Sequence, residues 1–183
     1  MKKAILILSF LFFAFYSFAQ NNKELDSLIN LLPDCSDSET ADIYGKISGK
    51  VLNLSYEKSL ETINKIKNLT DSINTNLKLK YYNLALYADY YANKGDLNSG
   101  LKYIDEALNY AKKNNLDTLY IQSIYVKGYY FQNYSQNDSA ILYFIKAIKL
   151  YEEKKDFKNA ILSYHGLGDN YYHTGNFKKA KEY

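Results

Sequence analysis

Three stretches of this chain repeat one another at a fixed distance. YYNLALYADYYANKGDLNSGLKYIDEALNY from Tyr81, IQSIYVKGYYFQNYSQNDSAILYFIKAIKL from Ile121 and ILSYHGLGDNYYHTGNFKKAKEY from Ile161 align without a gap at an offset of 40 residues. Small residues recur at Ala88, Gly128 and Gly168, and again at Gly100, Ala140 and Ala180. Aromatic columns form at Tyr91, Phe131 and Tyr171 and at Tyr103, Tyr143 and Tyr183; Ile104 pairs with Phe144, and Ala107 with Ala147. Within a unit the spacing is helical. Leu84, Tyr87, Ala88 and Tyr91 fall at i, i+3, i+4 and i+7, and after the polar turn NKGD a second such face runs through Gly100, Ile104, Ala107, Leu108 and Ala111. Each unit is therefore a helix–turn–helix hairpin. Because one hairpin cannot bury both of its faces, the units must stack.

The columns resemble the tetratricopeptide repeat family. The fullest match is Tyr164, Leu167, Gly168, Tyr171, Gly175, Phe177 and Ala180; the middle unit matches at Gly128, Phe131, Ala140, Phe144 and Ala147 but has Lys127 where the family has Leu. The earlier unit keeps Tyr91, Gly95, Leu97, Ile104 and Ala107. The resemblance covers about residues 77 to 183 and departs from the family in its period, which is usually about 34 residues. It implies an all-α fold, a right-handed superhelical solenoid of antiparallel hairpins with a period of 40 residues, divided as 77–116, 117–156 and a partial unit at 157–183. Residues 37–76 read as a divergent first hairpin, with stripes at Ile43, Ile47, Val51 and Leu54 and at Leu60, Ile63, Ile66 and Leu69. Residues 20–36 read as a linker and a short helix closed by Pro33, and Ser36 to Glu39 as a capping box opening the next helix.

Residues 1–19 have the layout of a secretory signal peptide: Lys2 and Lys3, an apolar run from Ala4 to Ala19, and small residues at Ser17 and Ala19. The expectation is an exported protein, periplasmic or extracellular, cleaved after Ala19; the bland alternative is an uncleaved anchor. Without Lys2 and Lys3 the 23 basic residues become 21, all lysine, against 20 acids. A near-neutral surface with no guanidinium is poorly suited to phosphate or base recognition, so nucleic acid is not an expected partner. Cys35 is the single cysteine, which excludes an internal disulfide and reads as a half-buried small apolar residue.

The resemblance also assigns a concave face, lined by the first helix of each hairpin. The candidate peptide-binding positions are Tyr82, Asp89 and Asn93, then Gln122, Tyr125, Tyr129, Gln132 and Asn133, then His165, Asp169, Tyr172 and His173. Amides pair with the backbone of an extended peptide, and tyrosines supply contact area at low entropic cost. The expected partner is a protein or peptide. The family's Lys/Asn/Arg carboxylate clamp is missing, so recognition of chaperone tails is not implied. His165, Asp169 and His173 share one helix face, but the two histidines stand about 12 Å apart along the axis and cannot ligate one ion. No phosphate loop, nucleophile elbow or cysteine cluster occurs, and GLG at Gly166 to Gly168 reads as helix packing. No enzymatic activity, cofactor or metal is expected.

Tyr183 falls inside the second helix of its hairpin, two packing positions short of the family pattern, so the chain continues or something else covers that face. The alternative function is the periplasmic sensory input region of a transmembrane regulator with a histidine kinase or DNA-binding output. It requires the reading frame to run past Tyr183 into an apolar segment of about 20 residues. Membrane contact is expected only through an uncleaved leader or such a following segment.

Overall fold

The computed structural model describes residues 23–73 and 76–183. The expected leader and its cleavage point lie outside them. Among the described residues all regular structure is helical, and no helix is long and apolar enough to cross a membrane. The chain divides into two compact units, residues 1–80 and 81–183, with the division four residues into a helix.

In the first unit, α1 (23–31) and a 3-10 turn at Leu32–Asp34 precede α2 (Asp37–Val51) and α3 (Tyr56–Thr70). Glu39 reaches back to the Ser36 backbone N–H at 3.0 Å, which satisfies one of the orphan donors at the start of α2. The α2 stripe is as expected, with Ile43, Ile47 and Val51 buried. On α3 the buried line is Ser59, Ile63, Ile66 and Thr70, and Leu69 faces solvent. Two hydroxyls take part in that line because each finds a carbonyl: Ser59 Oγ donates to Val51 O at 2.7 Å and Thr70 Oγ1 to Ile66 O at 3.0 Å. Asn76, at the end of this unit, donates from Nδ2 to Thr40 Oγ1 at 2.8 Å.

The second unit contains most of α4 (Leu77–Lys94), then α5 (Leu97–Lys113), α6 (Asp117–Asn133), α7 (Asn137–Glu153), α8 (Phe157–His173) and the single turn α9 (Phe177–Ala180). The helix starts fall every twenty residues, and so do the turns. Gly95, Asn115, Ser135, Lys155 and Gly175 all have φ between 56° and 94°, the left-handed region. At each one its own N–H bonds a carbonyl three residues back, as Ser135 does to Gln132 at 2.9 Å. The next N–H bonds five back: Asp96 to Tyr91, Leu116 to Ala111, Gln136 to Phe131, Asp156 to Tyr151 and Asn176 to Tyr171, all at 2.8–3.0 Å. This is the Schellman closure, which satisfies the carbonyls left open at a helix end. The residue that completes it also stands as N-cap of the following helix; Asp96, Asp156 and Asn176 accept from the N–H three residues on.

Turns this short lay successive helices against one another. Contacts run α5 to α6, α6 to α7, α7 to α8 and α8 to α9, and α6 also touches α8. Inside each hairpin the second-helix tyrosine lies on first-helix rings. Tyr103 stacks on Tyr87 and Tyr91 at 5.0 and 5.4 Å, Tyr143 on Phe131 at 5.4 Å, and Tyr183 on Tyr164 and Tyr171 at 6.1 and 5.8 Å. Lys127, expected as an apolar column position, is buried and keeps its charge through partners. Its Nζ donates to Asp105 Oδ1 at 2.6 Å and sits 4.9 Å from the centre of the Tyr143 ring, where Tyr87 stacks in the unit before. Burial pulls the lysine pKa down, but Asp105 and Tyr143 outweigh it and the pKa is raised.

Phe144 is fully buried between Gly128 and Gly166. A methyl carbon added at Gly166 would come within 2.7 Å of its Cζ, whereas one at Gly168 would meet Ala180 O at an ordinary 3.6 Å. Both glycines are interior to α8, where alanine is the better helix former by about 0.5–1 kcal/mol. Gly166→Ala should therefore destabilise by roughly 1–3 kcal/mol through overpacking. Gly168→Ala, at the family's signature position, should be neutral or stabilising. Urea unfolding of the two variants checks the order.

Candidate functional site

The candidate residues lie on α4, α6 and α8, all within the second unit. They recur at matching positions of the three helices. On α4, Tyr82 is half-buried with its ring edge-on to Tyr81 at 5.2 Å, and exposed Asn93 donates from Nδ2 to Asp89 O at 2.8 Å. On α6, Gln122, Tyr125 and Gln132 are half-buried while Tyr129 and Asn133 are exposed; the Tyr125 ring leans on Phe144 at 5.8 Å. Burial raises the phenol pKa of both Tyr82 and Tyr125. On α8, His165, Tyr172 and His173 are exposed and Asp169 is half-buried. His165 Nδ1 lies 3.7 Å from Asp169 Oδ2, and Tyr172 is flanked edge-on by His173 and Phe177. Among the described residues no three His, Cys, Asp or Glu side chains gather where they would hold a metal.

One candidate is already engaged inside the fold. Asp89 Oδ1 accepts from Tyr130 Oη at 2.6 Å, a bond from α6 to α4. Two neighbours extend it: Tyr134 Oη donates to Ala92 O at 2.7 Å, and Tyr81 Oη donates to Leu119 O at 3.0 Å and pairs with Ser123 Oγ at 3.0 Å. Sequence reasoning placed Tyr129 on the open face and passed over Tyr130 and Tyr134; Tyr129 is exposed, and Tyr130 turns to α4. Ser163, one repeat after Ser123, is buried with no hydrogen-bond partner among the described residues, and Ile121 stands one repeat after Tyr81, the residue whose hydroxyl pairs with Ser123. The candidate side chains left open on α6 and α8 are thus amides, imidazoles and aromatic rings, with Asp169 as the carboxylate among them.

No family model and no curated protein matches the sequence. Solved structures do match. Aspartyl phosphate phosphatase F from Bacillus subtilis superposes with a TM-score of 0.68 at 18% identity, over 89% of this chain and 46% of that one. BtubC from P. vanneervenii gives 0.67 at 13% identity, over 88% and 67%. A signal transduction ATPase with numerous domains and a tetratricopeptide repeat sensor, from Pyrococcus horikoshii, gives 0.67 at 20% identity, over 88% and 25%. These likenesses establish an all-helical repeat fold. The chain spans about half the length of the phosphatase and a quarter of the ATPase.

Burial pushes the Asp89 carboxyl pKa above its ordinary 3.8, and the Tyr130 hydrogen bond opposes that shift. A carboxyl with a raised folded pKa favours folding when protonated, so its contribution declines as pH climbs from the ordinary value through the folded one. Asp89→Asn keeps an acceptor for Tyr130 without the charge. Its stability relative to the parent chain should rise with pH across that window. Asp89→Ala strands the buried Tyr130 hydroxyl and should cost about 1–3 kcal/mol. Thermal melts of both variants at acid and neutral pH measure the two effects.

Proposed function

We propose that this chain is a non-enzymatic scaffold of the tetratricopeptide type, a right-handed solenoid with a 40-residue repeat that binds an extended segment of a partner protein across its first-helix face. In this reading it is exported, and it binds in the periplasm or outside the cell. The observation that carries it is the open aromatic and amide surface of α6 and α8. Tyr129 and Tyr172 are 48% and 60% exposed, beside Gln132, Asn133 and His173. Large exposed rings next to side-chain amides suit a peptide, whose own N–H and C=O groups must be paired as its side chains are covered. The scaffold reading is supported by the shared fold of regulatory helical-repeat proteins.

A second reading, the sensory input region of a larger regulator, draws on one specific likeness. The ATPase whose structure resembles this chain carries a tetratricopeptide repeat sensor, and the matched part is a quarter of its length. The two readings share the binding face and differ in whether an output domain follows.

Partner capture tests the face itself. Tyr129 and Asn133 are both exposed, so the double variant Tyr129→Ala, Asn133→Ala should fold as the parent does. Affinity for a protein captured from a periplasmic extract should fall at least roughly tenfold, as expected when an aromatic anchor is truncated. Undiminished capture by the folded double variant would sink the peptide-face reading.

A further inference from the structure

Two first helices of the second unit carry almost no charge on the side they leave open. Between Tyr81 and Asn93 on α4 and between Thr118 and Asn133 on α6 the charged residues are Asp89 and Lys127, in a chain that is 23% charged. Both are taken up inside the fold: Asp89 accepts from Tyr130, and Lys127 donates to Asp105. The second helices differ. Lys102, Glu106 and Lys112 on α5 and Asp138, Lys146 and Lys149 on α7 are all exposed. Burial does not explain the contrast, because the open positions of α4 and α6 are wet enough to hold an ion. Tyr129 is 48% exposed, Asn93 and Asn133 are exposed, and Tyr82, Gln122 and Gln132 are half-buried. Nor does a further hairpin close this face. Tyr130 of α6 already packs to α4, yet Asn93 stays exposed; α8 already contacts α6, yet Tyr129 and Asn133 stay exposed.

We propose that the segment seated on α4 and α6 is uncharged: an extended stretch of the partner whose side chains are amides, hydroxyls and aromatic rings. This rests on the peptide-binding reading above and names the chemistry of the partner at that same face. A side-chain amide both donates and accepts, so Gln122, Gln132 and Asn133 match the N–H and C=O groups of an extended backbone and the neutral polar side chains it carries. An ammonium or a carboxylate pressed against the same groups gives up its water and meets no opposite charge. Selectivity thus comes from rejecting ions of either sign as well as from pairing a neutral chain. The face changes character only on α8, where Asp169 lies 3.7 Å from His165.

The probe is a phage-displayed library of random peptides, selected on the full chain and counter-selected on the Tyr129→Ala, Asn133→Ala double variant, so that the sequences kept depend on this face. They should be depleted of Asp, Glu, Lys and Arg relative to the input library. A synthetic peptide of the best sequence should bind with an affinity that changes less than about twofold between about 0.05 and 0.5 M salt. Lysine or glutamate placed at its central positions should each weaken it roughly tenfold, whereas glutamine there should cost less than about threefold. Enrichment of either sign of charge among the kept sequences, a roughly tenfold loss of affinity with salt, or lysine and glutamate tolerated as well as glutamine would each overturn this inference and leave the peptide face standing. A selection that keeps no sequence would instead remove the peptide face itself, and this inference with it.

Discussion

The second unit depends on one backbone conformation taken at five places. A residue with positive φ at 95, 115, 135, 155 and 175 closes each helix with two hydrogen bonds and hands the next residue over as an N-cap. Helices of nearly equal length follow, joined by turns of one geometry. Only two of the five residues are glycine. Asn115 tolerates the left-handed region well, while Ser135 and Lys155 occupy it at a steric cost that the paired hydrogen bonds and the packing on either side offset.

Given that register, the aromatic columns do the packing. A second-helix tyrosine on first-helix rings is the common element, and the position beside it varies: Tyr87, Lys127 and Leu167 stand in one column. A ring, an ammonium and an alkyl chain all suit the neighbourhood of a tyrosine face, the ammonium only because Asp105 completes its environment. The departure of Lys127 from the family pattern is thus a local substitution of one ring contact for another. Between neighbouring first helices the tyrosine hydroxyls of residues 81, 130 and 134 add a polar seam, and Ile121 and Ser163 show it lapsing in the following pair.

Helices and columns were legible because 3.6-residue periodicity and a fixed offset are linear properties of the sequence. The stripe through Ile43, Ile47 and Val51 was read correctly for the same reason. What was missed depends on rotation by a single residue or on backbone angle. Thr70 rather than Leu69 faces inward on α3, because its hydroxyl bonds back to its own helix and costs nothing when buried. Gly95 and Gly175 advertise a turn, but Asn115, Ser135 and Lys155 adopt the same angle with no compositional sign. Asp89 read as an open groove residue, yet its partner Tyr130 lies 41 positions away, and no local pattern joins the two. Gly166 looks like an incidental neighbour of the signature Gly168, though it is the one pressed against Phe144.

The central claim, that recurrent closed turns hold the hairpins in register, is tested most directly by native-state amide hydrogen exchange at Asp96, Leu116, Gln136 and Asp156. Each of these N–H groups donates across a left-handed residue to a carbonyl five positions back. The account predicts that all four exchange as slowly as amides in the adjoining helix ends. Exchange at the rate of an unstructured peptide at Leu116, Gln136 and Asp156, where the left-handed residue is not glycine, would contradict it.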